Sequence, residues 1–456
     1  MRPRTKNQAT NVDTPDNPRL KLQSSTPSSW RLVVPLLLGM ALILGGCDAF
    51  DGLMEAETSS QIVAEDIQSP ENAGLIVNSV VANFECAFGN YIVSTGLLGN
   101  TLSNAGNDGN KWAWDRRTLR ADLSTSDSYA TSNCGVDNEA LVAPLSAVRW
   151  QADDVLDKMD NEWSDAEIED RERLVATAAA YAGYSYVLIG ESMCQMAFDL
   201  GPARSPEEIF GLAEDRFSRA ISVAQESGNE EILNMARVGR ARARLNLGNL
   251  EQAAQDAREV PESFQKNAER SNQASRTINT VAYASGDNRD LTVAEPFRNL
   301  TWNGEEDPRA PVVDNEEIGG NPTGYDGVTP MFVQRKYESR SSPLPIARWA
   351  EAQLIIAEYE VKEGDPQDAV DIINDLHARA GLSDFKSSDS EEIMRQIIYE
   401  RKAELFLEAH HLGDLRRYDL DLIPEPGTPY PKGGEYEDQR CVPLPDTEQN
   451  NNPNIG

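Results

Sequence analysis

Rigid aromatic side chains and opposed charges are what this sequence offers for chemistry. Trp112 and Trp114 flank an alanine next to a Gly- and Asn-rich stretch, residues 99–109. Two indoles so spaced form a stacking platform for a sugar ring, or they share one strand face and pack on the core. The second reading is favoured. Tyr283, Trp302 and Tyr325 stand in another irregular region, 271–345, where Gly and Pro recur and the helical period vanishes. A stretch this long without regular structure is either functional or disordered, and its aromatics disfavour disorder. Taken singly, each aromatic also has the role of anchoring its loop to the core.

The charges sit further along. Met394, Ile397, Ile398 and Leu405 repeat at helical spacing, and the stripe continued at 3.6 residues per turn lands on Arg401 and Glu408. A charge on a buried face must be paired or it costs several kcal/mol. Glu404 lies three residues after Arg401 and four before Glu408, on neighbouring parts of one helical surface. The segment 399–417 therefore reads as one helix followed by a short turn. Its charges form either a partly buried ion-pair network or an ordinary solvated edge.

Catalytic signatures are scarce. The only histidines are His377, His410 and His411, and no G-x-S-x-G, H-E-x-x-H or Walker motif occurs. With 75 acidic residues, chance carboxylate pairs carry no weight. Cys and His are too few, and lack CxxC spacing, for a metal centre of that type. No enzyme, metal or cofactor is expected.

The elements that must position these residues are mostly helical. Helices are expected from Ala143 to Leu156, from Asp170 to Met196 in an Ala-rich run, and from Pro206 to Gln225, where Pro206-Glu207-Glu208 makes a sound start. Met235 to Pro261 is similar to a tetratricopeptide repeat: small residues at Ala236, Gly239, Ala243, Ala253, Ala254 and Ala257 let two antiparallel helices meet around Leu247-Gly248. Residues 350–378 repeat the theme around Gly364-Asp365.

Three blocks near the C-terminus resemble the SusD/RagB family of lipid-anchored nutrient-binding proteins of the outer membrane. One is Glu400-Arg401, Glu404-Leu405, Glu408 and Asp414-Leu415-Arg416-Arg417. A second holds Arg348, Glu351, Glu358 and Arg379-Ala380-Gly381, and the third is Cys441-Val442-Pro443-Leu444-Pro445. The family usually has Gly where Ala409 stands and Arg where His411 stands. The resemblance implies a mostly α SusD-like fold with several divergent tetratricopeptide-like helix pairs and loop-rich insertions. It places the helical scaffold at about 140–270 and 346–420, and the ligand-binding loops at about 99–137 and 271–345. Candidate ligand contacts are Trp112, Trp114, Tyr283, Trp302 and Tyr325. Candidate members of the structural network are Glu351, Glu358, Glu400, Arg401, Glu404, Glu408, Asp414 and Arg416. The implied partners are a glycan or peptide ligand and a SusC-like TonB-dependent transporter. The competing reading is a lipid-anchored helical-repeat scaffold that binds protein in the envelope.

The N-terminus reads as an address. A basic, polar stretch precedes an apolar run, Leu32 to Leu44, too short to span a bilayer but fitting a secretory signal. It ends in Leu44-Gly45-Gly46-Cys47, which resembles a bacterial lipobox. Residues 1–46 are thus a signal peptide, Cys47 the lipidation site, 47–61 an acidic tether and 62–456 one domain, held at the outer membrane and facing the exterior. Cys86, Cys134, Cys194 and Cys441 remain, and an exported chain could form up to two disulfides from them, in any of three pairings. The net charge of −33 excludes nucleic acid as a natural partner. Spread along the chain as it is, it suits a salt-rich habitat.

Overall fold

A computed structural model describes residues 68–121, 129–136 and 139–455. The signal peptide, Cys47 and the acidic tether lie outside the described residues. Helix α1 (Ala73–Leu98) leads through strand β1 (Leu102–Asn104) and the short α2 (Gly109–Asp115) to α3 (Val142–Asn161) and α4 (Arg171–Ser192). Every residue of α4 from Leu174 to Ser192 is buried. A helix enclosed on all sides needs small residues, and the Ala and Gly of α4 provide them. It packs against α1, α3, α5 (Pro206–Ser227) and α6 (Glu230–Asn246).

Local chemistry sets these helices' ends. Ser205 and Glu208 form a reciprocal capping box around Pro206, and Gly228 closes α5 at φ +69°. Close approach is set by glycine. The Phe217 ring of α5 wedges between α4 and α6, where a Cβ on Gly183 would stand 2.7 Å from it and one on Gly239 2.3 Å. The small residues of the repeat-like pair serve this contact.

The pair continues into α7 (Leu250–Arg258) after Gly248 at φ +78°. Strands β2 (Gln265–Ala268), β3 (Leu291–Val293), β4 (Val312–Asp314), β5 (Phe332–Gln334) and β6 (Leu344–Arg348) follow. Then come α8 (Trp349–Lys362), α9 (Pro366–Ala380), α10 (Ser390–Glu404) and α11 (His411–Arg417). Helix α7 packs on α8 although the whole loop-rich region separates them in sequence. The helix pairs thus meet across the insertion, whose Val281, Leu291, Val293, Phe297 and Tyr337 join the same core.

The two regions expected as loops contain more regular structure than their sequences suggest. β1 pairs antiparallel with β3 (Leu102 opposite Val293), which ties 99–104 to 291–293; β4 pairs with β5, and β2 with β6. Trp112 and Trp114 lie on a helix, α2, not on a strand. Asp108 caps that helix by accepting from Asn110 N–H.

The segment 399–417 also differs from expectation. Helix α10 ends at Glu404, and Leu407 and Ala409 take left-handed φ values of +55° and +68° before α11 begins. The turn buries Leu405, Phe406 and Leu407. Glu408 is delivered by this turn rather than by a helical stripe.

Two disulfides select one of the three pairings: Cys86–Cys134, and Cys194–Cys441 with a Cα–Cα distance of 5.1 Å. The second holds the C-terminal segment to the end of α4, beside a parallel bridge between Met193 and Val442.

Candidate functional site

Most of the charges singled out in sequence meet in a buried network, with partners that are remote in the chain. Arg401 reaches across the turn to Asp414, its Nε 2.9 Å from both carboxylate oxygens. Glu404 and Glu408 pair with Arg348 at the end of β6, at 2.6 and 2.7 Å. Glu408 also takes Lys336 Nζ at 2.6 Å. Glu400 accepts from His377 and Gln396 and pairs with Arg309. Arg416 is in no ion pair among the described residues. Its Nη1 donates to the carbonyls of Gly190, Glu191 and Met193, where it caps the C-terminal end of α4.

Two glutamates of α8 meet opposite fates. Burial works against the charge of Glu358, but Arg417 and Lys362 outweigh it and hold the carboxyl at about 2. Glu351 is equally enclosed, yet its nearest cation, Arg242 Nη1, is 3.9 Å away, and His410 Nε2 at 3.7 Å is kept neutral by burial and the surrounding cations. Its Oε1 has no hydrogen-bond partner. Burial therefore dominates and lifts the Glu351 carboxyl to about 7. Arg242 spends its strongest contacts on Glu191, at 2.8 and 2.5 Å. Arg309, Lys336, Arg348, Glu404 and Glu408 of the network also line an open cavity of about 560 Å³, together with Tyr337, Pro343 and Pro345.

The loop face is different. Three segments converge on Lys432: its Nζ donates to the carbonyls of Asn104 and Gly106 and pairs with Asp326 at 2.7 Å. The Trp112 ring lies 5.9 Å from the same nitrogen, and its Nε1 donates to Gly106 O. Tyr325 is 61% exposed beside Asp326, and Val328 and Ile423 stand out on the same loops. Next to this cluster opens a cavity of about 350 Å³. Pro330, Pro424, Tyr430 and Tyr436 supply apolar walls, and Asp115, Arg298 and Lys432 polar ones.

The structure thus places Trp112 beside Lys432 and Tyr325 next to the Asp326 that pairs with Lys432, and leaves the other three candidates elsewhere. Trp114 is fully buried and meets Tyr129 edge-on at 6.2 Å; the indole faces the core because its neighbour on α2 faces the loops. Trp302 donates Nε1 to Ser383 O at 2.7 Å and packs on His377 and Phe385. It anchors its hairpin to the helices. Tyr283 lies under the Arg340 guanidinium at 5.0 Å. Sequence reasoning missed Arg309, Lys336, Lys432 and Asp115, which lie in irregular segments or on one turn of helix and leave no periodic trace. Arg242 had a signal: an arginine among the alanines of a buried helix face.

Comparison with known proteins agrees with this architecture. The SusD family profile matches residues 229–455. The chain belongs to the SusD family. Among solved structures, a SusD-like carbohydrate-binding protein from Bacteroides vulgatus superposes with a TM-score of 0.63 at 15% identity, covering 85% of this chain and 97% of that one. A SusD homolog from Bacteroides thetaiotaomicron gives 0.63 at 14%, covering 87% and 99%. A laminarin-binding SusD-like protein gives 0.54 at 15%, covering 83% and 98%. At such identities the likeness shows the fold. No curated protein matches the chain. The SusD-family departures noted above have a structural setting. Ala409, where Gly is usual, sits at φ +68°, the backbone that glycine adopts without strain. His411 is half-buried, loss of solvent around its ring pushes the imidazole down to about 4, and the ring meets Phe297 edge-on at 4.9 Å.

Proposed function

We propose that this SusD-family protein is a cell-surface binding lipoprotein that captures an oligosaccharide, or another oligomeric nutrient, and passes it to a SusC-like TonB-dependent transporter. One observation carries the reading. The two loop-rich segments are tied together by the β1–β3 pair, and a tyrosine- and proline-walled cavity opens beside Lys432, which the Trp112 ring faces. Flat apolar rings beside fixed polar groups suit a carbohydrate, whose C–H faces stack while its hydroxyls hydrogen-bond. The carbohydrate-binding and laminarin-binding relatives of the same fold support this choice. Anchoring through Cys47 would keep the protein concentrated at its transporter. No helix among the described residues is long and apolar enough to cross a membrane, so attachment falls to the lipid.

The test is calorimetry of the mature chain against laminarin and a panel of other soluble glycans, repeated with Trp112→Ala and Tyr325→Ala. At least one glycan should bind, and each substitution should weaken it tenfold or more. Absence of any glycan binding, with recovery of a non-transporter protein partner, would favour the helical-repeat scaffold. Labelling with a tagged fatty acid, lost in Cys47→Ser, tests the anchor.

A further inference from the structure

A residue that lines the cavity beside Lys432 carries a buried oxygen with nothing to bond. Asp115 is 2% exposed at the end of α2 and lines the cavity. Its Oδ2 accepts from Asn104 N–H at 2.9 Å and from Tyr430 O–H at 3.1 Å. Its Oδ1 has no partner. A buried acceptor left unpaired costs about 1–3 kcal/mol, and such atoms in native proteins usually await a ligand or a water. Burial pushes the Asp115 carboxyl up to about 6, against the pull of Asn104, Tyr430, Lys432 and Arg117. Oδ1 is therefore an acceptor without a hydrogen donor, on a carboxyl whose burial Lys432 and Arg117 offset only in part.

The rest of the wall is complementary. Arg298 lies over the Phe332 ring at 4.2 Å and spends Nε on Val293 O. Its other N–H groups make no hydrogen bond among the described residues and can donate. Pro330 and Tyr430 offer flat apolar surface. The volume of about 350 Å³ is at the lower end of the roughly 300–1,000 Å³ of small-molecule sites. That is room for a small ring and not for a length of polymer. The occupant this combination fits has an apolar face, a hydroxyl to donate and an oxygen to accept.

We propose that this cavity is a subsite for one neutral sugar ring, the terminal unit of a captured chain, with Asp115 Oδ1 accepting one of its hydroxyls. The proposal rests on the capture reading and adds that the protein recognises chain ends. Asp115→Asn tests the contact. The amide oxygen can keep the bonds to Asn104 and Tyr430, while the position of Oδ1 turns from acceptor to donor. Ile423→Trp tests the cavity independently, because Ile423 is half exposed on the rim and the larger ring blocks entry without touching the core.

The experiment is saturation-transfer NMR and calorimetry on the mature chain with the methyl glycosides of glucose, galactose, mannose, xylose and N-acetylglucosamine, and with glucuronate as the charged control. One or more neutral glycosides should bind, and each variant should weaken binding at least tenfold with its thermal midpoint unchanged. The proposal is overturned if no glycoside binds, if glucuronate alone binds, if binding survives both substitutions, or if crystals soaked in the best glycoside show only water on Asp115. Polymer binding that depends on Trp112 without any glycoside entering would sink the subsite and leave the capture reading standing. Loss of both would sink the two together.

Discussion

Replacing Glu351 with glutamine should stabilise the protein at pH 8 and leave it nearly unchanged at pH 4. The carboxyl is 1% exposed and lifted by burial from an ordinary 4.5 to about 7. A folded-state value above the unfolded one means that the folded protein holds the proton more tightly. The stabilisation this provides is complete below pH 4.5 and is lost as pH rises through 7. At about 1.4 kcal/mol per pH unit, wild type should lose up to about 3 kcal/mol across that window through this group alone. A glutamine side chain has the shape of the protonated acid and no proton to lose. Urea denaturation of both proteins at pH 4, 5, 6, 7 and 8 isolates the difference, since every other titrating group is common to the two. The difference should be near zero at pH 4 and grow to about 2–3 kcal/mol in favour of the variant by pH 8. A difference that stays flat across the series, or a variant that loses stability as pH rises, would show that Glu351 is ionised and adequately paired by Arg242. The reasoning about its burial would then be wrong.

Glu358 should behave in the opposite sense: held at about 2 by Arg417 and Lys362, it supports the fold above pH 4.5 and ceases to as pH falls through 2, so the pH dependence of wild-type unfolding below 4.5 should flatten in Glu358→Gln. Gly239→Ala should destabilise by about 1–3 kcal/mol despite the roughly 1 kcal/mol gained in helix propensity, because the new methyl stands 2.3 Å from the Phe217 ring; Phe217→Leu in the same chain should recover part of the loss in a double-mutant cycle. Opening Cys194–Cys441, which spans 247 residues, should cost about 5 kcal/mol on chain-entropy grounds, read as a drop in urea midpoint for Cys194→Ser/Cys441→Ser. Trp302→Ala should lower stability by about 2 kcal/mol through lost packing on His377 and Phe385 while leaving glycan affinity within twofold; a selective loss of affinity would return Trp302 to the ligand surface.

The helical frame was legible because its signals are local. Pro206 and Ser205 start α5, Gly248 turns α6 into α7, and Asp365 starts α9, each within a few residues of the feature it controls. The three C-terminal blocks marked the family for the same reason. The aromatics were harder to sort. Trp112 and Trp114 are two residues apart and nearly identical in setting, yet one turn of helix sends the first to the loops and the second to the core. A two-residue step keeps side chains on one face of a strand but turns them about 200° apart on a helix, so the fate of the two rings depended on the element, which spacing alone did not reveal.

What the sequence determined by itself was the class of the chain: helix pairs with small residues at their contacts, a cluster of charges falling where an apolar stripe would continue, and an irregular region too aromatic to be a mere linker. Tertiary structure decided the partners. Arg348 comes to Glu404 and Glu408, Arg309 to Glu400, Cys441 to Cys194, and Lys432 to Asp326 across long stretches of chain. Helix periods and caps act over one or two turns and can be read in one dimension. Which charge neutralises which, and where a cavity opens between loops, depends on distances that exist only once the stack has formed.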